Sequence, residues 1–383
     1  MIRKSLITIL AVSSVLVLAS CRFAGQKEVS DKNIETVRLG FIGPLTGDGA
    51  NYGTNEKDAI IMAVEEINGS NYLPGKRLDV IFEDGECDGK TTTTVANKLI
   101  NVDNVKVIFG GLCSTETLAA APITEEKEVI LLSAFSTSPE ITKAGDFVFR
   151  TVPSDDGITK FVAELAKKSG HERIALLSEN NDYGLGLHNG FKKWVPEVGL
   201  EIVKEITYLP GAKDFRTDIL QLKSKNPDAI FANPQTGVGA GLILKQIREL
   251  SWDVQVYGVY VFTGSDALTT GGKAMEGLIA VNPPIVEKDV NPKGSEFMNK
   301  YISRFGAPQD NFLIASAYDN VYLIADAIKN VGLNSKGIRY YLYNLDSFTG
   351  AAGTYHFDKN GDVVGISFSM QTIKDGKVVP YEG

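Results

Sequence analysis

Two hydroxyl-bearing residues stand where backbone geometry favours an anion. Ser114 lies between an apolar run at 105–111 and a helical pattern at 114–121. A helix start offers unpaired N–H groups and partial positive charge, and a serine hydroxyl adds one more donor. Thr137, with Ser136 beside it in Ala134-Phe135-Ser136-Thr137-Ser138, follows a second apolar run and offers another donor. The amides of Asn233 and Gln235 end a third run, in Phe231-Ala232-Asn233-Pro234-Gln235. These groups suit binding of a small carboxylate-bearing or polar ligand. Plainer roles stay open: Ser114 as a cap for its own helix, Ser136 and Thr137 as turn residues, and the amides as loop structure.

Groups for bond-breaking chemistry are missing. There is no Gly-x-Ser-x-Gly elbow and no His-Glu-x-x-His, and His171, His188 and His356 stand in no Ser/Asp or metal-like pattern, so they read as surface or satisfied residues. Gly85-Glu86-Cys87-Asp88-Gly89-Lys90-Thr91 has three residues between its glycines where a phosphate loop needs four. Gly237, Gly239 and Gly241 do not make the dinucleotide fingerprint, because position 242 is Leu. Asp358, Asn360 and Asp362 lack the rest of a calcium loop and read as turn residues. The reading is a binding protein, not an enzyme, with no cofactor and no metal.

The three cysteines set the compartment. Cys21 follows a basic start (Arg3, Lys4), an apolar run at 6–18 and the small residues Ala19-Ser20. That is a secretory signal with a cysteine at the first mature position. The pattern resembles a bacterial lipoprotein signal, in which this cysteine carries lipid; the run is short for a transmembrane helix, which needs about 20 residues. In an exported protein Cys87 and Cys113 are a candidate disulfide pair. Spacing alone does not establish the bridge, and two free thiols remain the alternative. Two cysteines are too few for a structural zinc site.

Composition narrows the partners. At 43% hydrophobic and 9% aromatic the chain is globular. Its formal net charge of −8 becomes more negative once Arg3 and Lys4 leave with the signal, which argues against nucleic acid and against broad binding to anionic lipid. Only the Cys21 lipid would hold it at a membrane. The polar stretch after Cys21, with Gln26, Lys27, Glu28, Ser30 and Asp31, reads as a flexible tether spanning roughly 20 Å.

The elements that must position the candidate residues alternate. Strands are expected at 38–45, 78–83, 105–111, 129–135 and 147–152, with helices at 54–68, 91–101 and 114–121, the last closed by Pro122. The rhythm restarts after Pro153. Ser154 is the expected N-cap of a helix to Lys168, and strands follow at 173–177, 201–209, 229–232, 254–260 and 277–281. Helices at 184–194, 215–225 and 239–250 lie between them, and three more follow Pro283-Pro284, at 293–305, 312–331 and 336–345. Asn360-Gly361 and Asp375-Gly376 mark hairpins at the end. Near-continuous apolar strands alternating with helices imply α/β lobes with parallel sheets covered on both faces.

Several segments together resemble the extracytoplasmic binding proteins of ABC importers, of the branched-chain amino-acid type. They are Gly43-Pro44-Leu45-Thr46-Gly47 with Tyr52-Gly53, Gly110-Gly111-Leu112-Cys113-Ser114, Ser133 through Pro139-Glu140, Asp182-Tyr183-Gly184 and Phe357-Asp358-Lys359-Asn360-Gly361-Asp362. The resemblance implies a type I periplasmic-binding-protein fold: two doubly wound parallel-sheet lobes joined by three hinge crossings, near 152–155, 281–284 and 355–358. It implies a signal over 1–20, a tether over 21–36, a first lobe from 37–152 plus 285–355 and a second from 153–284 plus 356–383. It also implies the Cys87–Cys113 disulfide, a ligand carboxylate held at Ser114 and Thr137, and aromatic walls from Tyr52 and Tyr183. A membrane permease is the implied partner, and a ligand-sensing module for a receptor is the alternative. One position departs from the family. Where relatives place an acid for the ligand ammonium, this chain has Tyr260, and Phe135 is bulkier than the residue usual there. Either Asp182, Glu116 or Asp266 replaces the acid, or Tyr260, Tyr52, Tyr183 and Phe135 form an aromatic box, or the ligand is an amide, short peptide or aromatic acid without an ammonium.

Overall fold

The computed structural model describes residues 34–283 and 291–382. The signal at 1–20, Cys21, the tether up to residue 33 and Pro284 of the second expected crossing lie outside them.

Two sheets repeat one topology. The first is β1 (Glu35–Gly43), β2 (Lys76–Asp84), β3 (Val107–Gly110), β4 (Ile130–Ser133) and β5 (Val148–Arg150), in the order β2-β1-β3-β4-β5, all parallel. The second contains β6 (Arg173–Glu179), β7 (Glu201–Tyr208), β8 (Ala229–Asn233), β9 (Gln255–Val259) and β10 (Ile279–Asn282), in the matching order β7-β6-β8-β9-β10. An antiparallel hairpin, β14 (Ser369–Lys374) and β15 (Lys377–Pro380), extends its β10 edge. The central strands are buried along their whole length, as sheets covered by helices on both faces require.

The covering helices follow their capping signals. In α1 (Ala50–Gly69), Ala59, Ile60, Ala63 and Ile67 are buried. Asp88 caps α2 (Gly89–Asn101) by accepting from the Thr91 N–H, and Ser154 caps α4 (Asp155–Lys168) by accepting from Asp156. One expectation fails. The helix starting at Ser114, α3 (Ser114–Glu126), runs through Pro122 instead of stopping there. A proline removes one helical hydrogen bond, but Ala120, Ala121 and Thr124 stay buried on both sides of it, so packing outweighs the loss. In the second half come α5 (Asp182–Val198), α6 (Arg216–Lys223), α7 (Gly237–Glu249) and a short α8 (Ser265–Gly271) that the pattern did not announce.

After β10 the chain forms α9 (Pro292–Phe305), α10 (Asn311–Val331) and α11 (Ser335–Tyr343); α9 and α10 pack on α1, and α11 on β4. The small strands β11 (Phe348–Thr349), β12 (Thr354–Phe357) and β13 (Val363–Val364) follow. The chain therefore passes between the two halves three times: from β5 into α4, from β10 towards α9, and from β13 into β14. Arg150, fully buried at the first passage, fastens the third. Its Nε donates to Asp362 Oδ1 at 2.6 Å, and its Nη1 to the carbonyls of Thr137 and Ser138. No helix among the described residues is long and apolar enough to cross a membrane.

Candidate functional site

In a doubly wound sheet the strand order reverses once, and the turns leaving the carboxyl ends there open a crevice. Here the reversals fall between β1 and β3 and between β6 and β8, and residues from both switch points line one cavity. Tyr52 follows β1 and Tyr183 follows β6, each in the first turn of the next helix. Each is followed by a glycine for the same steric reason. A Cβ on Gly53 would lie 1.9 Å from the Pro44 carbonyl oxygen, and one on Gly184 would lie 2.3 Å from that of Glu179. Only glycine lets these helix starts sit tightly on the preceding strand ends and aim the tyrosines into the cleft.

The cleft is closed around a cavity of about 20 Å³, room for roughly one water. Tyr52, Ser114, Phe135, Tyr183 and Gln235 line it, with Gly49, Leu112, Val261 and both disulfide cysteines. Tyr260 lies behind this lining and completes a train of rings. Tyr52 stacks on Phe135 (centroids 6.3 Å apart), Phe135 meets Tyr260 edge-on (5.4 Å), and Tyr260 meets Tyr183 (6.5 Å). Cys87 and Cys113 are joined by a disulfide whose Cα atoms are 5.4 Å apart.

The other two expected residues turn elsewhere. Ser136 Oγ bonds to the Gly111 carbonyl at 2.8 Å and to Thr117 Oγ1 at 2.6 Å, so it ties two strand-end turns together. Thr137 Oγ1 donates to Asp155 Oδ2 at 2.8 Å. Ser114 Oγ accepts the Ser138 N–H at 3.2 Å, which leaves its own proton for the cavity. Of the candidate acids, Glu116 is buried and accepts the N–H groups of Cys87 and Cys113, burial pushing its carboxyl up to about 7. Asp182 and Asp266 stand at the rim, each paired across the cleft. Thr115 Oγ1 donates to Asp182 at 2.7 Å, and Asn51 Nδ2 to Asp266 at 2.9 Å. His188 lies between Ser178 Oγ and Glu205, and His171 meets the Tyr257 hydroxyl.

The acid whose charge acts on two of these rings is Asp155, which lies behind the cavity lining and which the sequence reading passed over. It is fully buried at the first position of α4. Oδ2 takes the Thr137 proton, while Oδ1 has no hydrogen-bond partner among the described residues. Burial pushes its carboxyl up to about 7 against the opposing pull of Thr137 and Arg150. Its charge reaches Tyr183 and Tyr260, whose phenols are raised first by burial and next by Asp155. The hydroxyls of Tyr52, Tyr183 and Tyr260 are likewise buried without partners among the described residues. Each unpaired buried polar group costs about 1–3 kcal/mol, and four of them around one ring train amount to an unfinished polar site. A sequence signal for Asp155 was present: an acid directly after a helix cap, at a lobe crossing.

Comparison with known proteins agrees with this architecture. The sequence model of the periplasmic binding protein family matches residues 36–377. The Leu-, Ile-, Val-, Thr- and Ala-binding protein of Pseudomonas aeruginosa is 29% identical over 344 residues, covering 88% of this chain and 89% of its own length. The crystal structure of a leucine-binding protein from Thermotoga maritima superposes with a TM-score of 0.84 at 27% identity, covering 90% of this chain and 97% of its own. That of a Rhodopseudomonas palustris ABC-transporter solute-binding protein with 3,4-dihydroxybenzoic acid gives 0.78 at 25%, covering 90% and 95%. With two doubly wound halves closing over the disulfide and the tyrosines, and a family match over nearly the whole described chain, this protein belongs to the periplasmic binding protein family, whose members bind solutes and are not enzymes.

Proposed function

We propose that this protein is the extracytoplasmic solute-binding component of an ABC importer and that its ligand is an α-amino acid. The observation that carries the reading is the unpaired Asp155 Oδ1 beside the tyrosine train. The ligand carboxylate takes the Ser114 hydroxyl and the free N–H groups at the start of α3. The ammonium takes Asp155 Oδ1 and the faces of Tyr183 and Tyr260, each cation–π contact adding roughly 0.5–2 kcal/mol. Asp155 thus supplies the charge that Tyr260 cannot. The lobes, bounded near the three passages, part to admit the ligand and close on it, because a cavity of about 20 Å³ admits no amino acid as it stands. The closed form is the one the permease receives.

Support comes from the name of the P. aeruginosa relative, which binds five aliphatic or small amino acids, and from the T. maritima leucine-binding protein. A second reading, an aromatic acid held by ring stacking, draws on the Tyr52–Phe135 stack and on the dihydroxybenzoate complex of the R. palustris neighbour. Calorimetric titration with leucine, alanine, threonine and 3,4-dihydroxybenzoate, in parent and Asp155→Asn proteins, separates the two. Amino-acid binding that Asp155→Asn abolishes supports the first reading; dihydroxybenzoate binding alone, indifferent to Asp155, supports the second. Silence from all of these and from lysine would overturn both. Cys21 is proposed to carry the lipid anchor; Cys21→Ser should release the protein from membranes, and unchanged membrane retention would refute the anchor.

A further inference from the structure

Beside the ring-lined cavity lies a second compartment of about 180 Å³. Gly49, Cys87 and Gln235 line both, so the two share a wall. The second one also spans the halves. Lys213 Nζ meets Asp48 Oδ2 at 2.6 Å across its mouth, and both residues line it. Inside, Glu179 is 7% exposed, its two oxygens accepting the Gln235 N–H at 2.9 Å and Asn181 Nδ2 at 3.1 Å. Tyr208, 8% exposed, lines the same space, its buried hydroxyl set beside the Glu179 carboxylate. Asp48, Glu86 and Glu179 set three carboxyls around the compartment against the single cation Lys213.

We infer that this compartment is a distal subsite that takes the cationic end of a long ligand side chain, making the preferred ligands α-amino acids with a basic side chain. The inference rests on the amino-acid reading above for the ligand's other end. The ligand chain passes the partition at Gln235, whose Nε2 makes only a weak 3.7 Å contact with Cys113 Sγ. Its cation meets Glu179, which retains acceptor capacity because a carboxylate offers about four lone-pair sites and two are in use. The Tyr208 hydroxyl, donor or acceptor at will, completes the shell. The buried Glu179 carboxylate draws a cation in, while a purely apolar side chain reaching this space offers neither Glu179 nor Tyr208 a hydrogen bond in exchange for the water it displaces. Such mismatches are the costly kind.

Titration calorimetry on the purified protein with lysine, ornithine and norleucine tests this, norleucine keeping the chain and dropping the cation. Lysine or ornithine is expected to bind at least tenfold tighter than norleucine. Tyr208→Phe and Glu179→Gln should each weaken the basic ligand at least fivefold and leave norleucine within twofold. Glu179→Gln also touches the Gln235 turn, so Tyr208→Phe is the cleaner arm. Norleucine binding as tightly as lysine, or Tyr208→Phe weakening both alike, would overturn the subsite. If no amino acid binds, the amino-acid reading has failed separately, and 4-(aminomethyl)benzoate against 4-methylbenzoate poses the same question. A preference for the amine upholds the compartment; none rejects it.

Discussion

The rim of the cleft and its floor are built from the same kind of strand-end turn, yet their polar atoms are used differently. At the rim, Asn51 with Asp266, Thr115 with Asp182 and Lys213 with Asp48 each join the two halves and satisfy one another. On the floor, Asp155 Oδ1 and the hydroxyls of Tyr52, Tyr183 and Tyr260 are buried and unpartnered. Exposed polar pairs contribute about 0.2–1 kcal/mol each, so the rim shapes the closed form without dictating it. The floor groups destabilise closure until something fills their hydrogen-bonding capacity. Closure therefore belongs to whichever ligand completes the floor, since a ligand shifts the equilibrium only by its differential affinity for the two forms.

Substitutions should separate the two regions by size of effect. Beneath the floor, Arg150→Ala leaves Asp362 and the Thr137 and Ser138 carbonyls without their buried cation. It should lower unfolding free energy by about 3–5 kcal/mol in a urea titration; a loss under 1 kcal/mol would deny Arg150 its role. Asp155→Asn should weaken α-amino-acid binding at least hundredfold, about 2.7 kcal/mol, with an unchanged circular dichroism spectrum. Next comes pH. Asp155 holds its proton to about 7 in the fold, so amino-acid affinity should fall from pH 8 to pH 5.5 as the carboxylate is neutralised, and the dependence should flatten in Asp155→Asn. Stability runs the other way. Asp155, Glu116 and Asp319 keep protons to about 7 when folded but lose them near 4 when unfolded. Unfolding therefore releases protons between pH 4 and 7, and these groups make the ligand-free protein less stable as pH rises through that window. A ligand-free melting temperature that climbed steadily from pH 5 to 7 would contradict this. Smallest are the rim variants: Asn51→Ala or Thr115→Ala should change affinity less than about fivefold. A rim effect larger than that of Asp155→Asn would reverse the comparison.

Much of this was legible beforehand. The apolar runs and capping residues gave both doubly wound halves, and Asn360-Gly361 and Asp375-Gly376 fall in the expected turns, with Gly361, Asp375 and Gly376 at positive φ. Tyr52, Ser114, Phe135, Tyr183 and Gln235 were picked out one by one, and the fold gathers them around one cavity. Other features were hidden. Pro122 read as a helix stop because local propensity ignores the sheet that holds α3 in place. Ser136 and Thr137 were read as facing a ligand because sequence shows a hydroxyl but not its rotamer. Asp155 went unnoticed because its burial depends on α4, β10 and the Arg150 clamp coming together from separate stretches of chain.

By itself the sequence determined what short-range physics controls: strand and helix alternation, caps, turns, and polar residues placed at strand ends, where sheet topology opens a crevice. Only the tertiary structure decided which of those polar atoms would be left without a partner. Pairing is a property of two surfaces meeting, and residues such as Asn51 and Asp266, or Thr115 and Asp182, become neighbours only when the two halves close.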